Sequence, residues 1–222
     1  GAQNRRLSSL ECHDIMCKVG EIVVSGGVRR SAMISLSNLS DDRMRHAKSG
    51  NWWETAGHRA LANNSVSYTE KPDMETFLRE WTALVESKSG ERGIFNRQAA
   101  QKQATKNNRR DPNWEFGTNP CSEIILRGPR IDLKTGQPIT GTGGQFCNLS
   151  EVVVRATDDI KSLSNKVRLA TIIGTLQSTL TKFPYLRKVW QNNTEEERLL
   201  GVSLTGIMDN PLLTAKNKGL AQ

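Results

Sequence analysis

The chain has 222 residues, 36% of them hydrophobic and 24% charged, with a formal net charge of +8. That length suffices to bury a real core as one domain or two, and no apolar run is long enough to span a bilayer, so no membrane-spanning helix is expected. The positive excess favours an anionic partner, but Arg5-Arg6, Arg29-Arg30 and the run Lys106-Asn107-Asn108-Arg109-Arg110 are scattered and not interleaved with aromatics; this disfavours nucleic acid and leaves nucleotide phosphate as the more economical anion.

Taken in chain order, Ser8 and Glu11 have capping-box spacing and open a predicted amphipathic helix, with Ile15, Met16, Val19, Ile22 and Val23 as its apolar face and Gly26-Gly27 as its stop. Val28-Arg29-Arg30 leads into a predicted strand from Ser31 to Leu36. Asp41-Asp42 caps a short helix to about Ala47, Asn51-Trp52-Trp53 reads as a loop, and residues 63–69 alternate as a strand. Asp73 then caps a helix to about Lys88 whose stripe of Phe77, Leu78, Trp81, Leu84 and Val85 reads as core. Residues 93–96 read as a buried strand and 98–112 as a helix end followed by a surface connection.

Between Cys121 and Cys147 the turn residues at 132–138 and 141–144 predict a long hairpin or finger. Its glycines are not followed by Gly-Lys-Ser/Thr and do not make a phosphate-binding loop. A strand at 146–154 follows. Thr157 or Asp158 caps the longest helix, with Ile160, Leu163, Val167, Ala170, Ile173, Leu176 and Leu180 as its stripe. Thr194 and Glu197 read as a second capping box, residues 201–204 as a strand, and the tail after Asn210-Pro211 as unpatterned. Strands and helices alternate throughout, which is the pattern of an α/β fold.

Two stretches carry candidate chemistry. In Gly117-Thr118-Asn119-Pro120-Cys121-Ser122-Glu123-Ile124, extended backbone would place Asn119, Cys121 and Glu123 on one face, although Pro120 suits a loop tip better than the middle of a sheet. The alternative for these residues is a partly buried cysteine among ordinary polar neighbours. Gly26-Gly27-Val28-Arg29-Arg30, between a helix and a strand, is a plausible place to read a nucleotide, or equally a helix stop with solvated arginines.

The four cysteines, Cys12, Cys17, Cys121 and Cys147, match no secreted disulfide framework, and the first residues show no basic-then-apolar leader; reduced thiols in the cytoplasm are expected. No Cys-x-x-Cys pair or matching histidine spacing is present, so no metal site is expected. Cys12 and Cys17 are read as packing residues on different faces of the first helix, and His13 as a polar-face residue. The three histidines all lie in the first third of the chain. The carboxylate two residues after Cys121 opposes a thiolate, so a nucleophilic cysteine is the poorer reading.

These residues resemble a known family. Thr118-Asn119-Pro120-Cys121-Ser122-Glu123-Ile124 looks like the finger-loop motif of the ribonucleotide reductase large subunit, in particular the adenosylcobalamin-dependent class II enzymes. Phe146-Cys147-Asn148-Leu149-Ser150 resembles the strand carrying one of their redox cysteines. Gly26-Gly27-Val28-Arg29-Arg30-Ser31-Ala32 resembles the loop that passes effector information to the substrate base. Residues 10–17 and 201–206 resemble flanking segments, so five segments in order cover the chain nearly end to end.

The resemblance implies one partial domain over residues 1–222, part of a ten-stranded α/β barrel with the finger loop at about 117–147. It implies a thiyl radical on Cys121 that takes the ribose 3′ hydrogen, Glu123 as base toward the 3′ hydroxyl, Asn119 bonded to the ribose hydroxyls, and Cys147 as one of two reducing thiols. Gly26, Gly27, Val28, Arg29, Arg30 and Ser31 would form the substrate and effector loop. The implied cofactor is adenosylcobalamin, and the implied partners are a ribonucleoside di- or triphosphate, a nucleotide effector, a thioredoxin-like dithiol and the remaining reductase segments. The family's other redox cysteine, its later strands and its terminal cysteine pair have no counterpart here, so a central piece without turnover of its own is expected. The rival expectation is a nucleotide-binding or assembly module built on the same barrel without its chemistry.

Overall fold

The structure, a computed structural model, describes residues 4–88 and 90–214. They gather into two compact units, residues 1–125 with 131–138 and residues 126–130 with 139–222.

The first unit opens with helix α1 (Ser9–Glu21), whose start is fixed as the sequence predicts: Ser8 accepts from the Glu11 N–H, and Glu11 reaches back to the Ser8 N–H. The helix ends at Glu21, not at the glycines. Gly26 and Gly27, at φ +61° and +72°, instead make the two-residue turn of an antiparallel hairpin between β1 (Val24–Ser25) and β2 (Val28–Arg29), in register Val24 with Arg29. Two consecutive positive φ values match the twist of such a hairpin, and only glycine adopts them without strain.

Strand β3 (Met33–Ser37) follows, then the short helices α2 (Asp42–Arg45) and α3 (Trp52–Thr55), strand β4 (Ala62–Tyr68), helix α4 (Met74–Ser87), strand β5 (Gly93–Asn96) and helix α5 (Arg97–Thr105). β3, β4 and β5 form a parallel sheet in that order, with Ile34 opposite Asn63 and Val66 opposite Ile94. Parallel neighbours need crossover connections, and the helical segments between these strands supply them.

Beneath this sheet lies a buried ion cluster. Glu80 of α4, 1% exposed, accepts from Arg45 of α2 at 2.9 Å and from Arg92, just before β5, at 3.1 Å. Arg92 also donates to Ser37 at the end of β3. One carboxylate between two guanidiniums thus ties the crossover helices to the strand ends; its removal would leave buried Arg92 without its carboxylate and Arg45 with Asp42 alone.

Strands β6 (Gly117–Thr118) and β7 (Ile125–Leu126) pair with each other, as do β8 (Arg130–Ile131) and β9 (Pro138–Ile139). In the second unit, β10 (Asn148–Val153) and β11 (Leu200–Thr205) pair in parallel, Asn148 with Leu200 through Val153 with Thr205. Helix α6 (Ile160–Ser178), capped by Asp159, and helix α7 (Lys188–Glu197) make the crossover, and α8 (Pro211–Thr214) closes the described chain. The architecture is α/β, as the alternation of elements predicts.

Several expectations fail in one physical respect, burial. On α1 the buried residues are His13 and Cys17, while Ile15, Met16, Val19 and Ile22 are exposed. His13 is therefore no polar-face residue, and Cys12 is exposed where packing was expected. On α4 Leu78, Trp81 and Val85 are exposed, and the buried position is Glu80; on α6 Ile160, Ile173, Leu176 and Leu180 are exposed, and the buried positions are Ala170, Gly174 and Ser178. The β5 strand is mostly exposed. Residues 52–55 are helical where a loop was expected, and 97–105 form a full helix around Ala100 and Ala104. Thr194 and Glu197 end α7 instead of opening a helix. Of the tail, residues 215–222 lie outside those described.

Candidate active site

The residues 119–124 do not run as a strand. Asn119 to Ser122 form a β-turn, with the Ser122 N–H donating to the Asn119 carbonyl at 3.0 Å, Pro120 at the position whose fixed φ suits it, and Cys121 beside it. Ser122 follows in the left-handed region at φ +66°, a turn-plus-left-handed pattern common in short hairpin loops. Strand alternation therefore does not place Asn119, Cys121 and Glu123: Asn119 and Cys121 belong to the turn itself and Glu123 follows it, at the tip of the β6–β7 hairpin.

Asn119 holds this turn. Its side-chain Oδ1 accepts from the Ile124 N–H at 3.0 Å and from Thr118 Oγ1 at 3.3 Å. A backbone N–H only donates, so the atom facing it is the amide oxygen, and Nδ2 is the group left to bond elsewhere. A second anchor comes from Asn63, the second residue of β4, whose Nδ2 donates to the Pro120 carbonyl at 2.8 Å. Asn63 lies opposite Ile34 near the start of β3, so the turn is tied to the amino end of the parallel sheet. Sequence reasoning missed Asn63; the Asn-Pro dipeptide, a turn signal, could have shown that residues 119–122 bend.

The base of the hairpin rests on a small core. Phe116 and Trp114 are buried with Ala100 and Ala104 of α5, and Phe95 and Ile125 pack against them. Arg97 donates to the Phe116 carbonyl at 2.8 Å, and Arg110 to the Ile125 carbonyl at 3.0 Å. At the tip, Cys121, Ser122 and Glu123 are exposed. Cys121 is a free thiol, and among the described residues neither it nor Glu123 has a hydrogen-bond partner. The exposed Cys121 thiol is open to a reactant that arrives from outside.

The second predicted region, Gly26 to Ser31, is the hairpin β1–β2 and the segment that enters β3. Val28 and Arg30 are exposed, the Arg29 backbone pairs with Val24, and Ser31 Oγ donates to the Gly20 carbonyl at 2.7 Å, fixing the hairpin to the end of α1. Both this hairpin and the Cys121 turn therefore attach at the amino end of the same sheet.

Cys147 belongs to the second unit and directly precedes β10. Its flanks are firmly held: the Phe146 N–H donates to Thr194 Oγ1 at 3.1 Å, the Phe146 ring lies 4.7 Å from Phe183 and 5.1 Å from Trp190, and the Asn148 N–H donates to the Leu199 carbonyl at 3.0 Å. Buried Arg127 pairs with Glu196 at 2.7 Å and with Glu197 at 3.0 Å on α7, and its N–H donates to Gln145, two residues before Cys147. The thiol is half-buried, with its Sγ 3.8 Å from the Asn148 carbonyl.

Elsewhere in the first unit, Cys17 is fully buried, its Sγ 3.7 Å from His13 Nδ1. Burial pushes this thiol up from its ordinary value, as does the nearby Asp14 carboxylate. Asp14 is itself clamped by Arg59 through two 2.7 Å bonds, with His58 Nε2 at 3.2 Å. Among the described residues no three acidic, histidine or cysteine side chains cluster as metal ligands would, and no helix is long and apolar enough to cross a membrane.

No protein-family model matches the chain. It is 31% identical over 210 residues to the adenosylcobalamin-dependent ribonucleoside-triphosphate reductase of Lacticaseibacillus paracasei, covering 92% of this chain and 25% of that protein. It is 27% identical over 223 residues to the enzyme of the same name from Levilactobacillus brevis, covering 98% and 26%, and 28% identical over 218 residues to that of Lactobacillus leichmannii, covering 92% and 25%. The chain thus spans about a quarter of the length of the relatives it matches. Along nearly its whole length the chain is similar to a part of the adenosylcobalamin-dependent ribonucleoside-triphosphate reductases.

Proposed function

We propose that this chain carries the radical-bearing loop of a ribonucleotide reductase and serves the reduction of ribonucleotides to 2′-deoxyribonucleotides. The observation that carries the reading is the free, exposed Cys121 thiol at the tip of a braced hairpin, in a chain similar along nine-tenths of its length to such reductases. The strands β3–β5 and β10–β11 then belong to a ten-stranded barrel completed by further segments, with residues 117–147 as its finger and residues 1–222 as one partial domain.

The residues fit adenosylcobalamin at one point, the unpartnered Cys121 thiol, which is exposed enough to meet a bulky group. When bound, the cofactor supplies a radical by homolysis of its carbon–cobalt bond. Cys121 gives up its thiol hydrogen atom and, as a thiyl radical, takes the ribose 3′ hydrogen. Glu123 takes the proton of the 3′ hydroxyl, and Asn119 donates from Nδ2 to a ribose hydroxyl, the one function its turn bonds leave open. The 2′ hydroxyl leaves as water while Cys147 and a second thiol give up two electrons and two protons, one to that water and one to C2′, and close a disulfide; Cys121 returns the 3′ hydrogen, and a thioredoxin-like dithiol restores the pair. The Gly26–Ser31 hairpin reads the nucleotide. The substrate is a ribonucleoside di- or triphosphate.

The test is reconstitution. The 222-residue chain alone is expected to give no turnover, and its combination with the remaining segments of a reductase, cofactor, dithiol and nucleotide to give deoxyribonucleotide. Cys121→Ala in that assembly should abolish the product; product formation undiminished by the substitution would sink the assignment.

A further inference from the structure

The basic run at 106–110 touches the site above only through Arg110, which donates to the Ile125 carbonyl. In the structure it lines a cavity of about 290 Å³ just beyond α5, formed by Gln103, Ala104, Lys106, Asn107, Arg109 and Arg110. Three of these six residues are cationic and none is acidic. Lys106 and Arg109 are exposed, and among the described residues neither forms an ion pair. The neighbouring Asp111 turns its Oδ1 to the N–H and side-chain amide of Asn113, at 2.9 and 2.7 Å.

A helix C-terminus ordinarily repels anions, because its last carbonyls are unpaired and carry partial negative charge. Here that charge is largely answered. The Lys102 carbonyl accepts from Thr105 Oγ1, the Gln103 carbonyl from the Lys106 N–H, and the Ala104 carbonyl from the Arg110 N–H. The backbone beyond the helix also has a suitable form. Asn107 and Asn108 are left-handed, at φ +61° and +50°, and Arg109 returns to the right-handed region at φ −79°. A left-handed residue followed by a right-handed one is a backbone turn of the kind that cups anions, although the Arg110 N–H is already given to the Ala104 carbonyl. Arg110 is rigid, its guanidinium 4.9 Å above the Phe116 ring and its Nη1 bonded to the Ile125 carbonyl.

The geometry points to a binding site for a polyphosphate chain, such as the tail of a nucleoside triphosphate, at Lys106, Arg109 and Arg110. Lys106 and Arg109 supply the unpaired charge, and Arg110 joins the cavity wall to β7 and hence to the base of the Cys121 hairpin. The site is independent of the radical chemistry, and its test needs no turnover.

Titration calorimetry of the 222-residue chain with inorganic tripolyphosphate, at fixed ionic strength, provides that test. The pair Lys106→Ala with Arg109→Ala should weaken binding by about tenfold or more, a loss of about 1.4 kcal/mol. The pair Lys71→Ala with Lys134→Ala, which removes equal charge from exposed positions elsewhere, should change it less than about twofold. Circular dichroism should show both double variants folded. A nucleoside triphosphate that depends on the same two residues supports the site. Equal losses in both pairs, no loss in either, or stronger and steeply salt-dependent binding of a single-stranded oligonucleotide through Lys106 and Arg109 would overturn it.

Discussion

Asn119 has two jobs that pull on different atoms of one amide. Its oxygen closes the turn through Ile124 and Thr118, and its nitrogen is the group assigned to the ribose. The two are separable by substitution. Asn119→Asp keeps the accepting oxygen and should leave the denaturation midpoint of the chain nearly unchanged, while product formation in the reconstituted assembly falls. Asn119→Ala loses both bonds and should cost about 1–2 kcal/mol of stability as well, measured by urea unfolding. Equal stability of the two variants would show that the turn does not depend on this side chain. The residue types of the site were legible in the sequence, because a cysteine between an amide and a carboxylate is chemically conspicuous. Their geometry was not: extended alternation was assumed across Asn119-Pro120, where turn chemistry prevails. Asn63 was hidden for a different reason, since its bond to Pro120 joins residues far apart in sequence, and no local pattern announces such a contact.

At the level of elements, capping signals placed three helix starts and missed two: Asp159, not Thr157 or Asp158, caps α6, and Thr194 and Glu197 end α7. Ser8, Asp41 and Asp73 each cap the helix they were expected to cap, because a side chain that accepts from an N–H in the first turn acts locally, whatever packs around it. Apolar periodicity located α1, α4 and α6 but misassigned what they bury, because a stripe reports a face that avoids water without reporting whether this chain covers it. The α1 helix is held through Cys17, packed with Leu61 and Ala62, and through polar bonds, chiefly Asp14 with Arg59. Burial by itself pushes the Asp14 carboxyl up; the bonds from Arg59 and His13 more than offset this and hold it at about 2, below its ordinary 3.8. A carboxyl whose folded value lies below its unfolded one adds stability above the unfolded value and loses it as pH falls through the folded one. Thermal stability should therefore drop between about pH 4 and pH 2, and Asp14→Asn should flatten that part of the profile. A variant with the same acid sensitivity as the parent would remove Asp14 from the account.

For the molecule as a whole, the exposed faces and the relatives' length belong to one explanation. Ile15, Met16 and Val19 on α1, Leu78 and Trp81 on α4, and Ile173 and Leu176 on α6 leave large apolar side chains in water, and contiguous apolar surface of that kind marks places where another surface docks. If the chain serves within a larger reductase, a dye that fluoresces on apolar surface should light up with the chain alone and dim when the remaining segments are added. Undiminished fluorescence in an active assembly would leave these faces without that role.

The pairing of β10 with β11 has a consequence for how the chain tolerates change in length. Cys147 stands one residue ahead of Asn148, which is matched to Leu200, and five further matched pairs follow without a gap. Side chains alternate along a strand, so one residue gained or lost between the thiol and this ladder would turn Cys147 to the opposite side. The turn at 132–136, closed by the Gly136 N–H on the Asp132 carbonyl, carries no such phase. Insertions and deletions should therefore be absorbed in the arm that leads to Cys147, and the single step from Cys147 to the ladder should be counted as strictly as a reading frame.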